Sequence, residues 1–232
     1  GKPVIIKSNG KAEQVQEVLS TRTTPTTSGS AWGIGLNTNS TAKSIKSINC
    51  GTNLIFSFWH DDTNSAWRGN VSYVDDSSDL NLSVAHSHPE PAISGATVDS
   101  NADCALAYLG SNKVCIFFNG KSTNAGTALI ATINPSTKAI TYGSDVSVSA
   151  TGKDVGVSYD TDNERILFAY TGNSSDNGYY QSASFSGTAI TLLGSATAFA
   201  LVGSFNGVGR INSVYDTNAD RHVIVYDYKD YS

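Results

Sequence analysis

The chain has 232 residues, of which 39% are hydrophobic and 15% charged, and its formal net charge is −5. The hydrophobic fraction is too high for a disordered chain, and so few charges are atypical of a helical one. The negative charge, together with 15 basic residues that form no run, argues against a nucleic-acid partner. No stretch is long and apolar enough for a transmembrane helix and no signal peptide is recognisable, so membrane insertion is not expected.

Residues 1–44 are predicted to form a β-hairpin and a linker. Asn9-Gly10 suits the two-residue turn of a hairpin. The segment after this turn alternates Val with polar residues, which favours a strand, and a short helix is the alternative. STRTTPTTSGS (20–30) has the composition of a low-complexity linker. Because the chain starts at Gly1 and lacks Met, we expect a processed product, an excised segment or an incomplete chain.

Residues 45–232 repeat one unit. Two stretches are nearly the same, YDTDNERILFAY (159–170) and YDTNADRHVIVY (215–226). Around them, short strands rich in β-branched and aromatic residues alternate with Asn-, Gly-, Asp- and Ser-rich turns. The units are 45–95, 96–150, 151–205 and a truncated 206–232. The predicted strands are 47–50, 54–59, 70–74 and 80–85; 104–108, 114–118, 127–133 and 139–143; 155–159, 166–170, 179–185 and 189–194; and 211–215 and 222–228.

Each unit is therefore predicted to be a four-stranded antiparallel meander of about 52–60 residues. The second strand is the most continuously apolar, which predicts burial on both faces. Stacked meanders of this kind predict an all-β, β-propeller-like fold. Propellers close with about four to eight blades, whereas three and a half units are visible. Either the N-terminal hairpin completes the last unit, or the chain continues or neighbouring copies complete it. The abrupt end of the sequence favours the second alternative.

The repeated turn could be taken for a calcium site. Asp160, Asp162 and Glu164 space oxygen ligands like the start of a calcium loop, but the sixth position is Arg165 where an EF-hand needs Gly. We therefore expect the acids to cap their own turn and to pair with the arginine. No cofactor is predicted.

Candidate metal ligands are densest around His60, His86 and His88. Two histidines and a carboxylate can bind zinc or iron, although no known site has this spacing. The three cysteines form an odd set, and we expect small buried side chains and not a disulfide framework.

Candidate ligand-binding residues are the aromatic side chains Trp67, Tyr179 and Tyr180. They flank the predicted long loops, where a flat ring could stack on a sugar, and packing between sheets is the alternative. No sequence pattern of a sialidase, a nucleophilic triad or a phosphate-binding loop is readable. Adjacent carboxylates such as Asp61 and Asp62 point to opposite faces of a strand, so they would not form a hydrolytic pair.

The repeats resemble those of phage tail-fibre and related virion appendage proteins, especially of marine phages. The residues that carry the resemblance are GKPVIIKSNGK (1–11), the two YD phrases and GTAITLLG (187–194). The resemblance implies a non-enzymatic, extracellular virion protein that attaches to a host-surface glycan. It also implies contacts with other virion proteins and a homo-oligomer. The alternative is a secreted bacterial propeller that binds or hydrolyses glycans, as a sialidase does.

Overall fold

A computed structural model describes residues 4–6, 12–14, 42–63, 65–73, 103–119, 125–150, 152–172, 176–201 and 206–230. The described residues form strands and turns with no helix, so the protein is all-β, as predicted. Accordingly, none of them belongs to a helix that could span a membrane. The chain divides into two compact units, Gly1–Gly33 and Ile34–Ser232.

The first unit contains the predicted hairpin. Strand β1 (Val4–Ile6) pairs antiparallel with β2 (Ala12–Gln14), and Ile5 lies opposite Glu13. The segment after the predicted turn is a strand at 12–14, which confirms the predicted strand over the alternative helix there.

The described residues of the second unit form four antiparallel sheets in chain order. The first sheet is β3 (Ala42–Gly51), β4 (Leu54–Asp61) and β5 (Ala66–Tyr73). The second is β6 (Cys104–Gly110), β7 (Lys113–Phe118), β8 (Gly126–Ile133), β9 (Ile140–Tyr142) and β10 (Val146–Ser149). The third is β11 (Val155–Asp160), β12 (Arg165–Thr171), β13 (Gly178–Ser186) and β14 (Ala189–Ala200). The fourth is β15 (Asn206–Asp216) and β16 (Arg221–Asp230).

The third sheet is the predicted meander. Its strands pair in the order β11-β12-β13-β14. The YD turn closes its first hairpin, in which Asp160 lies opposite Arg165 and Glu164 adopts a left-handed φ of 52°. A four-residue turn of this kind joins adjacent strands without a long loop.

The second sheet has the same order with a broken fourth strand. Both β9 and β10 pair with β8, at 131–133 and 126–128, so they occupy one edge position in succession. The break falls at Gly143, where an added Cβ would lie 2.7 Å from Cβ of Thr188 in the third sheet. Strand β10 was not among the predicted strands.

The first sheet corrects two expectations. Its third strand begins at Ala66, so the long loop predicted over 60–69 is wrong. Strands β4 and β5 are joined by a short turn, and Asp61 lies opposite Ala66. The buried Asp61 accepts an ion-paired hydrogen bond from Nε of Arg68 at 2.6 Å, which compensates for its burial. Strand β3 begins at Ala42, before the predicted boundary at residue 44. The predicted strand 80–85 lies outside the described residues.

Three hydrophobic cores lie between successive sheets. On β7, Val114, Ile116 and Phe118 face the first sheet, whereas Cys115 and Phe117 face the third. Strand β12 divides its side chains in the same way between the second and the fourth sheets. Alternate side chains of a strand point to opposite faces, so a strand between two sheets must be apolar on both. The predicted burial of the second strand is therefore confirmed for β7 and β12, and β4 is also almost wholly buried.

The fourth sheet does not follow this rule. The described side chains of β16 are exposed or half-buried, and Val223, Val225 and Tyr228 are among the exposed large hydrophobic residues. The predicted burial of this strand is wrong, because in the described part of the chain only β15 pairs with it.

Candidate functional site

The first strands of the four sheets lie side by side around one cavity. Strand β6 packs against β3 and β11, and β11 packs against β15. The cavity between them has a volume of about 660 Å³ and is lined by residues 46–48, 103–106, 153–155, 157 and 210–212. A concave space of this size is typical of a small-molecule site.

Among the described residues, five charged ones line this cavity: Lys46, Asp103, Lys153, Asp154 and Arg210. Three are cations and two are carboxylates, although the chain as a whole has a net charge of −5. Three of them occupy related places, since Asp103, Asp154 and Arg210 each directly precede the apolar core of a first strand. Lys46 lies opposite Phe58, at the place where the second and third sheets have Cys104 and Val155. The second, third and fourth sheets therefore share one position and differ in its charge, and Lys46 adds a cation one position further along in the first sheet.

Asp103 connects two first strands. Its Oδ1 accepts a hydrogen bond from N–H of Cys104 at 2.9 Å, and its Oδ2 accepts one from N–H of Val155 at 3.3 Å. Burial raises the pKa of this carboxyl, and the hydrogen bond from Val155 and the charge of Lys46 oppose that rise. Asp103 therefore holds β6 and β11 together at the wall of the cavity.

Asn119 also holds the wall of the cavity that contains Asp103 in place. This buried side chain accepts a hydrogen bond from N–H of Asp103 at 2.6 Å through its Oδ1. Its Nδ2 donates to the carbonyl oxygen of Gly152 at 3.2 Å and to that of Lys153. The second and third sheets are therefore joined by polar contacts at the site as well as by their apolar core.

Lys153 is held by an ion pair. Its Nζ lies 2.9 Å from Oδ1 of Asp176, and the carbonyl oxygen of Asp176 accepts a hydrogen bond from N–H of Val208 at 2.9 Å. This chain of contacts links the cavity wall to the start of β15. Much of the charge of Lys153 is therefore already compensated.

The backbone of Arg210 is irregular, and this sets the direction of its side chain. It adopts a left-handed φ of 48° at a bulge, where the pairing of β15 with β16 shifts between Gly209 and Asn212. A bulge re-aims the side chain of its extra residue. Among the described residues, no carboxylate forms an ion pair with this exposed arginine.

Trp67 does not present a ring to solvent. Its side chain is 0% exposed, and its ring is stacked on Phe58 with centroids 5.2 Å apart. Phe118 and His60 complete its surroundings at centroid distances of 5.3 and 5.2 Å. The interpretation of Trp67 as a sugar platform is wrong, because β5 begins before this residue and points it into the first core.

Tyr179 and Tyr180 lie in the third sheet, but not on one surface. Both are half-buried on β13, where neighbouring side chains point to opposite faces. Tyr179 packs against the second core and stacks on Tyr170 at 5.8 Å, while Tyr180 packs against the third core. The two rings cannot form a joint platform, and their role in binding stays a prediction for each ring alone.

The predicted metal ligands can be placed only in part. His60 is fully buried on β4, and its Nδ1 lies 3.1 Å from Oδ1 of Asp62. Its Nε2 is buried, and no described residue forms a hydrogen bond with it. His86 and His88 lie outside the described residues, so a metal site formed by these histidines stays a prediction.

The YD turns have the predicted capping role. Oδ1 of Asp160 accepts hydrogen bonds from N–H of Asp162 and Asn163, both at 2.9 Å. Asp216 caps the turn of the fourth sheet in the same way. The expected pairing of the arginines with these acids is wrong. Arg165 and Arg221 instead donate hydrogen bonds to carbonyl oxygen atoms of their own turns.

The two turns bring Asp160, Asp162 and Asp220 together. The hydroxyl of Tyr215 donates to Oδ1 of Asp220 at 2.5 Å and lies 3.2 Å from Oδ2 of Asp162. A hydrogen-bond donor between these carboxylates accounts for their proximity.

The cysteines are buried free thiols, as predicted. Burial raises the pKa of Cys50 to about 11, and burial also raises the pKa of Cys104 and of Cys115. Thiols that stay protonated are poor nucleophiles and poor metal ligands. The Sγ of Cys104 donates to the carbonyl oxygen of Ser44 at 2.9 Å and so links the first two sheets.

The charged residues of the cavity were not predicted as a site from the sequence. One signal could have indicated them, because Asp103, Asp154 and Arg210 stand directly before equivalent apolar strands in successive units. No protein-family model matches the chain, and a search of curated proteins finds no match.

Proposed function

We propose that this chain is a non-enzymatic, propeller-like attachment module of a phage virion appendage, and that it binds a host-surface glycan in the cavity between its first strands. One observation carries the proposal: four first strands converge on a cavity of about 660 Å³ whose charged residues differ from copy to copy. Scaffold positions recur between repeats, so residues that differ around a shared space are candidates for ligand recognition.

The propeller arrangement is part of this proposal. Blades of a propeller pack face to face, and their first strands surround a central channel. The three cores between successive sheets and the shared lining of the cavity support that geometry. The resemblance of the repeats to virion appendage proteins supports an extracellular location on the virion, with other virion proteins and further copies of the chain as partners.

A glycan-hydrolysing enzyme is the second candidate, because two carboxylates line the cavity. A raised pKa is what a general acid of a glycosidase needs, and burial raises that of Asp103. However, both oxygen atoms of this carboxylate accept backbone hydrogen bonds, which assigns it a structural role. The binding module therefore has the stronger support.

An array of purified bacterial lipopolysaccharides and capsular polysaccharides tests the proposal. We expect saturable binding to a subset of these glycans, with no release of reducing ends on prolonged incubation. Release of reducing ends that Asp154→Asn abolishes would establish the enzyme instead. If no array glycan is bound and tagged chain does not adhere to any bacterial strain of a matching panel, the attachment function is wrong.

A further inference from the structure

We propose that the cavity selects a carboxylate-bearing saccharide, with Arg210 as the main carboxylate contact and Lys46 as the second cation. This inference rests on the proposed glycan-binding function and names the chemical class of its ligand. It follows from the charges of the residues that line the cavity.

The two acids of the cavity do not oppose an anionic ligand equally. Asp103 has both oxygen atoms engaged by backbone N–H groups, and burial favours its neutral form. Asp154 lies at the equivalent place in the next sheet and is half-buried. Its carboxylate suits the hydroxyl groups of a sugar, which donate hydrogen bonds to such acceptors.

The cations of the cavity also differ in what already binds them. Lys153 forms its ion pair with Asp176. Lys46 and Arg210 come from β3 and β15, the first strands of the first and last sheets, and both are exposed. The charge of Lys46 also acts on Asp103, whereas no described carboxylate forms an ion pair with Arg210. Arg210 therefore keeps most of its attraction for an incoming anion, and that attraction weakens with added salt.

Arg210 is the best placed of these groups. In the second and third sheets the corresponding position holds an Asp, so the fourth sheet reverses the charge. The bulge at this residue gives it a left-handed backbone that a regular strand would not have. A guanidinium binds a carboxylate through two parallel hydrogen bonds, whereas a neutral sugar offers no such partner.

Isothermal titration with matched trisaccharides tests this inference. The probes are tri-galacturonic acid, the neutral galactose trisaccharide of the same linkage, and a sulfated form of the neutral sugar. We expect the carboxylated sugar to bind at least tenfold more tightly than the neutral one, and more weakly as salt increases. We expect Arg210→Gln to abolish that preference and Arg210→Lys to restore part of it, while Arg165→Gln, on an exposed turn, leaves binding unchanged.

Each result has a defined meaning. Equal binding of the acidic and neutral sugars refutes the selection for carboxylates and leaves the glycan-binding function intact. Stronger binding of the sulfated sugar refutes the assignment of a carboxylate. If Arg210→Gln keeps the preference while its urea unfolding midpoint matches that of the wild type, the assignment of Arg210 is wrong. If the wild-type chain binds no glycan of the array and does not adhere to any strain of the panel, the proposed function itself is refuted.

Discussion

The third and fourth sheets begin with nearly the same sequence, yet they bury it to different extents. Asp160 and Asp216 cap equivalent turns, and both hairpins pair in the same register around them. After the turn, β12 is buried at every residue except Arg165, whereas the described side chains of β16 are exposed or half-buried.

The difference lies in the neighbours of the two strands. Strand β12 pairs on its second edge with β13, and its faces meet the second and fourth sheets. In the described part of the chain β16 has one pairing partner, and Val223 and Val225 on its outer face are exposed. Leu167 and Ala169 hold the corresponding places on β12 and are covered by the third core. The repeated YD sequence thus specifies a hairpin, whereas contact with a further sheet determines whether the second strand of that hairpin is buried.

The largest loss of stability is expected from truncating Phe168. Phe168 and Ile224 hold equivalent places on β12 and β16, and only Phe168 is fully buried. We expect Phe168→Ala to lower the free energy of unfolding by about 3–5 kcal/mol, because it leaves a cavity in the second core. Ile224→Ala, at the matching place on β16, should cost about 1 kcal/mol, because this residue is only half-buried. Urea denaturation of both variants measures the contrast. Equal losses would mean that β16 is as well covered in solution as β12.

A smaller effect is expected where the third sheet approaches the fourth. A Cβ added to Gly156 would lie 3.2 Å from backbone atoms of Asn212 and Ser213 on β15. Gly156→Ala should therefore cost about 1–3 kcal/mol, as crowding in a packed interior does. Asn212→Ala is the control, because Asn212 holds the matching position in the fourth sheet and is exposed. Thermal unfolding of the pair checks this, and a neutral Gly156→Ala would contradict the close packing of β11 on β15.

Asp160 in the first YD turn should make the stability of the fold depend on pH. Burial tends to raise the pKa of Asp160, but hydrogen bonds from Asn163, Tyr215 and Asp162 outweigh it and lower the pKa to about 2. A lowered pKa stabilises the fold above about pH 4, and that stabilisation is lost as the pH falls toward 2.

Asp160→Asn removes this contribution. We expect the variant to be less stable than the wild type by about 1 kcal/mol at neutral pH, and the difference to vanish between pH 4 and pH 2. Asp216→Asn should show a smaller difference, because Asp216 lacks the side-chain hydrogen bond that Asn163 gives to Asp160 at 2.9 Å. Urea midpoints measured across this range test both, and a difference that persists at pH 2 would exclude the carboxylate as its cause.

The hairpins could be predicted because their signals are local. Apolar strands on both sides of an Asp-rich turn placed β11 and β12 within one residue of their observed ends. The loop after β4 was predicted to be too long because charged residues are rarely buried, and only the contact of Asp61 with Arg68 shows why burial is tolerated here. Trp67 was misplaced for the same reason, since it is the second residue of β5.

The candidate site could not be predicted in the same way. Lys46, Asp103, Asp154 and Arg210 are far apart in the chain, and only the alignment of four first strands brings them to one cavity. No local pattern encodes that alignment. Comparison of the repeat units identifies Asp103, Asp154 and Arg210 as equivalent, but it does not show that they and Lys46 face a common space.

The smallest expected effect bears most directly on the contrast between the two sheets. Val225→Thr replaces a methyl group by a hydroxyl at a side chain that is 61% exposed, so the free energy of unfolding should change by less than about 0.5 kcal/mol. The same substitution at Val157, which is 4% exposed in the second core, should cost about 1–3 kcal/mol because the new hydroxyl is buried. Urea denaturation at several protein concentrations measures both. If Val225→Thr costs as much as Val157→Thr, and more so at high concentration, another copy of the chain covers the outer face of β16, and the fourth sheet differs from the third only in the isolated chain.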